Sequence, residues 1–192
     1  MASGHRGFPG FDSPAAGFEA PFEMLEACHQ RVLRTLGLLE RLQAHVQTHG
    51  CDQQARQAAT DVMRYFDVAA PLHHQDEEIH VFPAVLAGGD TALASAVQQL
   101  MEQHRQMETR WAALRTVLTS LVSCQEGTPQ PFAALRRDAV EKFVAMYGAH
   151  IRLEEDVVYP AAKNLLNSVQ EGAMGADMGM RRGANIRPPG NA

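Results

Sequence analysis

Aromatic residues make up only 6% of this 192-residue chain. Long stretches are filled instead by Ala, Leu, Gln, Glu and Arg, which lose little freedom in a helix, so the composition favours helix over sheet. Basic residues form no block beyond Arg181-Arg182, and the net charge is -5, which leaves no electrostatic footprint for nucleic acid. No run of about 18 apolar residues occurs, so no membrane span is expected. Met1 to Phe11 carry neither a basic nor an apolar stretch, and no secretory signal is expected there. Cysteine is limited to Cys28, Cys51 and Cys124, an odd number without close pair spacing. That usage fits reduced thiols and a cytoplasmic protein. Cys28 adjoins His29, but neighbours on a helix point about 100° apart, so it reads as a small packed residue.

An apolar content of 45% is ample for one core. Residues 1–20 are rich in Gly, Pro and Ala and are expected to be an irregular leader, with His5 solvated. From Phe22 the pattern becomes helical: Phe22, Leu25, His29, Val32, Leu36 and Leu39 recur at spacings of three and four. Gly50, Gly88-Gly89 and Gly127 to Pro131 divide the chain into four long helices, ending near His49, Leu86, Cys124 and Val169. Short connections between them imply an all-α, antiparallel, up-down-up-down four-helix bundle. Residues 171–192 read as a tail with a short helix near Met178 to Arg182.

Two stretches stand out because they echo each other. His73-x-x-x-Glu77-Glu78 leads to Phe82-Pro83, and His150-x-x-x-Glu154-Glu155 leads to Tyr159-Pro160, 77 residues later. His29 and His104 precede them by 44 and 46 residues, so the chain carries an internal two-fold repeat. Residues four apart share a helix face, so each His and Glu can converge on one metal ion. Glu77 and Glu154 sit among apolar residues without a Lys or Arg to neutralise them, and a buried carboxylate must be protonated, paired or bound to a cation. Four imidazoles and two carboxylates make a two-metal inventory suited to iron or manganese, with zinc as an alternative.

The prolines set the register. Counting back from them selects His73-Glu77 over His74-Glu78, which leaves His74 and Glu78 off the seam, solvated or behind the ligands. A Glu-x-x-His pattern fits Glu26-His29 and Glu77-His80 but nothing at His104 or His150, and is rejected. His80 and Tyr147 share the seam and are read as pocket or supporting residues. Pro71 and Gly148, each two residues before a ligand His, are expected to bend their helices, and Pro83 and Pro160 to kink them beyond the ligands.

On these residues, the chain resembles the hemerythrin-like, HHE cation-binding family over about residues 20–170. The resemblance implies a bundle over 21–170 holding a non-haem di-iron centre, with two irons bridged by an oxo or hydroxo group. His29, His73, His104 and His150 would be terminal ligands, and Glu77 and Glu154 bridges. Oxygen-carrying members have a fifth His, whose place here is Glu108, an exposed flank residue or labile extra ligand. Four His and two Glu are more similar to bacterial iron-sulfur repair proteins and to the iron-sensing domain of a ubiquitin ligase. The expected function is binding or sensing of O2, NO or iron at an open coordination position. The alternative is a di-iron redox enzyme, an oxidase, peroxidase or iron-sulfur repair factor.

Overall fold

The computed structural model describes residues 17–125 and 135–184. Most of the expected leader, with His5, the break at Gly127 to Pro131, and the last eight residues lie outside the described residues. Several helix ends follow from local signals in the sequence. Pro21 sits in the first turn of α1 (Pro21–His49), where its missing N–H is not needed. The helix stops at Gly50, whose φ of 72° suits a residue without Cβ. The Asp52 carboxylate then accepts the Ala55 amide at 2.7 Å and opens α2 (Gln53–Arg64).

α2 continues through α3 (Ala70–Asp76) and α4 (Phe82–Ala87) as one helical run, interrupted by π turns at Tyr65–Ala69 and Glu77–Val81. Asp90 caps α5 (Thr91–Val122) through the Ala92 and Leu93 amides. α6 (Arg137–Leu153) passes through a third π turn, Glu154–Val158, into α7 (Tyr159–Leu165). Each π turn ends two residues before a proline: Pro71, Pro83 or Pro160. A proline ring clashes with the carbonyl four residues back, and the wider turn makes room for it. Gly148, by contrast, lies in regular α-helix. The perturbation shared by the two arms is therefore not at Pro71 and Gly148. It is a π turn that begins at Glu77 in one arm and Glu154 in the other.

The last expected helix proves to be two. Leu166 is extended, with ψ of 137°, so Val169 belongs to the next element. There Asn167 and Gln170 form a reciprocal capping box that starts α8 (Ser168–Arg181). The short helix expected near Met178 is the end of this 14-residue helix, which buries Met174 and Met178 and packs on α1 and α3. A Cβ on Gly175 would lie 1.8 Å from the Phe18 carbonyl oxygen, so only glycine allows this approach. Fully buried Asp76 of α3 is held by Arg181 at 2.8 Å and Arg182 at 2.5 Å.

α1 and α5 each pack against α2 and α6, and α4 packs against α5 and α7. The apolar interior falls into two clusters. One contains Val32, Leu36, Phe66, Met107, Leu118, Phe143 and Ile151; the other contains Phe22, Leu25, Phe82, Leu100, Val158 and Met174. Each long helical run crosses from one cluster to the other, and the crossings fall at His29, at His73 to Glu77, at His104 and at His150 to Glu154. A polar layer thus separates two apolar cores. Among the described residues, no helix is long and apolar enough to cross a membrane.

Candidate metal centre

The six residues singled out from the spacing meet in this layer. His29, His73, His104 and His150 are 1%, 6%, 2% and 1% exposed, and Glu77 and Glu154 are fully buried. Ligand atoms of His29, His73, Glu77 and Glu154 lie within 4.8 Å of one another, and so do those of Glu77, His104, His150 and Glu154. Both carboxylates belong to both groups, and their oxygens divide between them. Glu77 turns Oε1 to His73 at 3.6 Å and Oε2 to His104 at 3.4 Å. Glu154 turns Oε2 to His29 at 3.1 Å and Oε1 to His150 at 2.8 Å.

These contacts are close, yet they do not satisfy the atoms as hydrogen bonds. His73 Nδ1 and Nε2, Glu77 Oε2 and both Glu154 oxygens are buried without a hydrogen-bond partner. The Nε2 atoms of His104 and His150 face each other at 3.2 Å. Leaving one such group unsatisfied costs about 1–3 kcal/mol, and charged groups cost more. Acceptors gathered around common points, with imidazole nitrogens and carboxylate oxygens only, fit divalent cations such as iron.

The outward nitrogens are held as well. His29 Nδ1 is 2.7 Å from Glu155, His104 Nδ1 is 2.8 Å from Glu78, and His150 Nδ1 is 2.9 Å from Gln103 Oε1. An N–H donated outward fixes the tautomer and leaves Nε2 free to bind a metal. The second Glu of each doublet therefore orients the lone His of the opposite half. Its signal in the sequence was the doublet itself, repeated in both arms. The aromatic before each proline behaves in the same crossed manner. Tyr159 stacks on His29 at 5.6 Å between centroids, and Phe82 on His104 at 5.7 Å.

Tyr159 adds a hydroxyl that donates to Glu77 Oε1 at 2.5 Å and lies 3.3 Å from His29 Nε2. Only its place in the aromatic-proline echo marked it in the sequence. Gln103 had no signal at all. His74, expected off the seam, is buried, and its ring stacks on His104 at 3.9 Å. Adjacent residues on a helix diverge by about 100°. Because α3 faces the bundle interior between them, His73 meets His29 while His74 meets His104 and His150.

The remaining expected pocket residues separate. Half-buried His80 pairs with Asp177 at 2.7 Å and Arg181 at 3.1 Å, so it serves the docking of α8. Tyr147 is buried beside His74 and lines two small cavities, of about 10 and 40 Å³. Exposed Glu108 lies on the rim of the larger one with Trp111.

Without metal, protons settle the charge. Burial pulls the His29 and His104 imidazoles down, but the Glu154 and Glu77 carboxylates prevail and lift them to about 9 and about 10. Burial, together with the Glu154 charge, raises Glu77 to about 8. Burial also acts on Glu154, but the surrounding imidazoles hold it well below the usual carboxylate range. Burial leaves His73 and His74 neutral, well below the ordinary imidazole value.

A helical bundle with a buried layer of imidazoles and two shared carboxylates defines a metal-binding domain. Residues 20–162 match the hemerythrin HHE cation-binding domain, and the chain belongs to that family. It is also 32% identical over 167 residues to an uncharacterized protein of Haemophilus influenzae, covering 87% of this chain and 92% of that protein.

Proposed function

We propose that this chain is a non-haem di-iron protein that binds or senses O2, NO or iron. The division of the carboxylate oxygens carries the reading: each of Glu77 and Glu154 offers one oxygen to the His29/His73 side and one to the His104/His150 side. His29 and His73 would hold one ion, His104 and His150 the other, and the two carboxylates would span both. When bound, such a pair of ions supplies a redox-active acceptor for a small ligand. The protein supplies orientation through Glu78, Glu155 and Gln103, and excludes water by burying the layer between two apolar cores. The neighbouring cavities, about 10 and 40 Å³, are of the size of a water or a diatomic molecule.

The proposed frame is an antiparallel up-down-up-down bundle with an internal two-fold repeat. Support comes from the alternating order in which the helical runs cross the two cores, and from the crossed pairs Glu155-His29 and Glu78-His104.

The enzyme reading draws on Tyr159, whose buried O–H beside Glu77 and His29 is placed to give a proton. Anaerobic iron loading, metal counting and an optical spectrum during air exposure test both readings. About two irons per chain, with near-ultraviolet charge-transfer bands lost in His73→Ala and Glu154→Ala, are expected. One ion per chain, or zinc retained over iron with no response to O2, overturns the di-iron assignment. Sustained consumption of peroxide or NO would select the enzyme, and stoichiometric uptake the binding protein.

A further inference from the structure

Two thiols that the metal layer does not use come together at one end of the bundle. Cys51 follows Gly50 in the turn between α1 and α2, and Cys124 stands two residues beyond α5. They are 73 residues apart in the chain, and both are free. The turn lies about 30 Å along α1 from His29, so the pair is separate from the metal layer. Cys51 is 6% exposed and belongs to the apolar cluster of Leu36 and Phe143, against which half-buried Cys124 packs.

The contacts between the two residues are direct. The Cys51 sulfur lies 3.6 Å from the Cys124 carbonyl oxygen and 3.5 Å from that of Leu121. Arg56, near the start of α2, clamps the pair: one guanidinium nitrogen donates to the Cys51 sulfur at 3.9 Å and to the Cys124 carbonyl at 3.3 Å. Burial and the hydrogen-bonding Cys124 thiol raise the Cys51 thiol above its ordinary value, while Arg56 opposes them. Cys51 is therefore protonated at neutral pH and shielded. Half-buried Cys124 is the thiol that an oxidant reaches first.

We propose that Cys51 and Cys124 form a reversible dithiol, which a hydroperoxide oxidises to a disulfide that fastens the α1–α2 turn to the end of α5. The Cys124 thiolate attacks an oxygen of the peroxide, the O–O bond breaks, and a sulfenic acid forms as water or an alcohol leaves. The Cys51 sulfur then attacks the sulfenic sulfur, the S–O bond breaks, and the hydroxyl departs as water with the Cys51 proton. The two sulfurs together lose the two electrons that the peroxide gains. Arg56, already bonded to the Cys51 sulfur, stabilises the negative charge that develops there as the proton leaves. A thiol reductant reverses the link by exchange.

Trypsin leaves Cys28, Cys51 and Cys124 on three separate peptides, so the link can be read directly. The full chain, in chelator-containing buffer, is treated with hydrogen peroxide, its remaining thiols are alkylated, and it is digested without reduction for mass spectrometry. A linked pair of the Cys51 and Cys124 peptides is expected, lost on treatment with dithiothreitol and unchanged in Cys28→Ser. Closing a loop of 73 residues should raise the melting temperature by about 5–10 °C. In Cys51→Ser, dimedone should trap the sulfenic acid of Cys124, with no rise in melting temperature. Both thiols still alkylated after treatment, or Cys124 oxidised in the parent while Cys51 is alkylated, would overturn the proposal and leave the Cys51 thiol as a donor to the last carbonyls of α5. The peptide map of the parent decides the matter even if a variant does not fold, and neither result bears on the metal reading.

Discussion

Glu155 and Glu78 are the most selective handles on this centre, because each touches one imidazole and neither faces the shared point. Glu155→Gln keeps the size of the side chain but removes the charge that His29 Nδ1 meets at 2.7 Å; Glu78→Gln does the same to His104 at 2.8 Å. A hydrogen bond to a charged group contributes about 1.5–3 kcal/mol. The two carboxylates are 34% and 43% exposed, so solvent screens part of that. About 1.4 kcal/mol is left, which is about tenfold in affinity, at the low end of the range for residues that orient metal ligands. Competition against a chromophoric chelator, run with Co(II), should therefore show one of two ions weakened about tenfold in each single variant. The double variant should weaken both. Asp156→Asn removes an exposed charge from the same turn as Glu155 and serves as control. A change under about twofold in Glu155→Gln, or an equal effect from Asp156→Asn, would refute the orienting role.

Metal uptake should release protons, because His29, His104 and Glu77 must give theirs up before binding. With values of about 9, about 10 and about 8, about three protons should leave at pH 7 and about one at pH 9.5, so affinity rises with pH, most steeply below pH 8. Calorimetry in buffers of different ionisation enthalpy counts them, and release below one proton at pH 7 would contradict the charge distribution. Tyr159→Phe should keep the stacking on His29 and the full metal count while lowering the stability of the metal-free chain by about 0.5–1.5 kcal/mol at pH 7, where Glu77 is protonated, through loss of the donor to Glu77. An unchanged urea midpoint would show that this hydroxyl contributes nothing. Asp76→Asn should cost about 3 kcal/mol, because Arg182 is then left buried beside a neutral amide. Loss of α8 protection in hydrogen exchange would locate the damage, and retained protection would argue against the clamp.

Periodicity and capping made most of the helices legible. Asp52, Asp90 and the glycines at 50 and 88-89 stand where helices start or stop, because caps are local chemistry. The four His and two Glu were legible for a related reason: a charged or polar residue repeated in an apolar seam has few bland explanations. The solvated alternative for His74 fails because strict seam counting admits one residue per turn. A helix pointing between two neighbours can send adjacent side chains inward on either side of its axis. The π turns were not legible as such, since a proline announces a perturbation without saying how the backbone will absorb it. α8 was underestimated for a tertiary reason. Its glycines look like breakers until the close approach of Phe18 to Gly175 gives one of them a purpose.

The polar layer between the two apolar clusters has a consequence for cooperativity. Each cluster is bound to the other by the four helical runs and by what happens at the level of the imidazoles. Empty, that level joins the halves through protons and polar contacts; filled as proposed, it would tie residues from α1, α3, α5, α6 and both carboxylate turns to the same pair of points. Bound metal would then act as a rivet through the middle of the molecule, and the two ends should open together once it is in place.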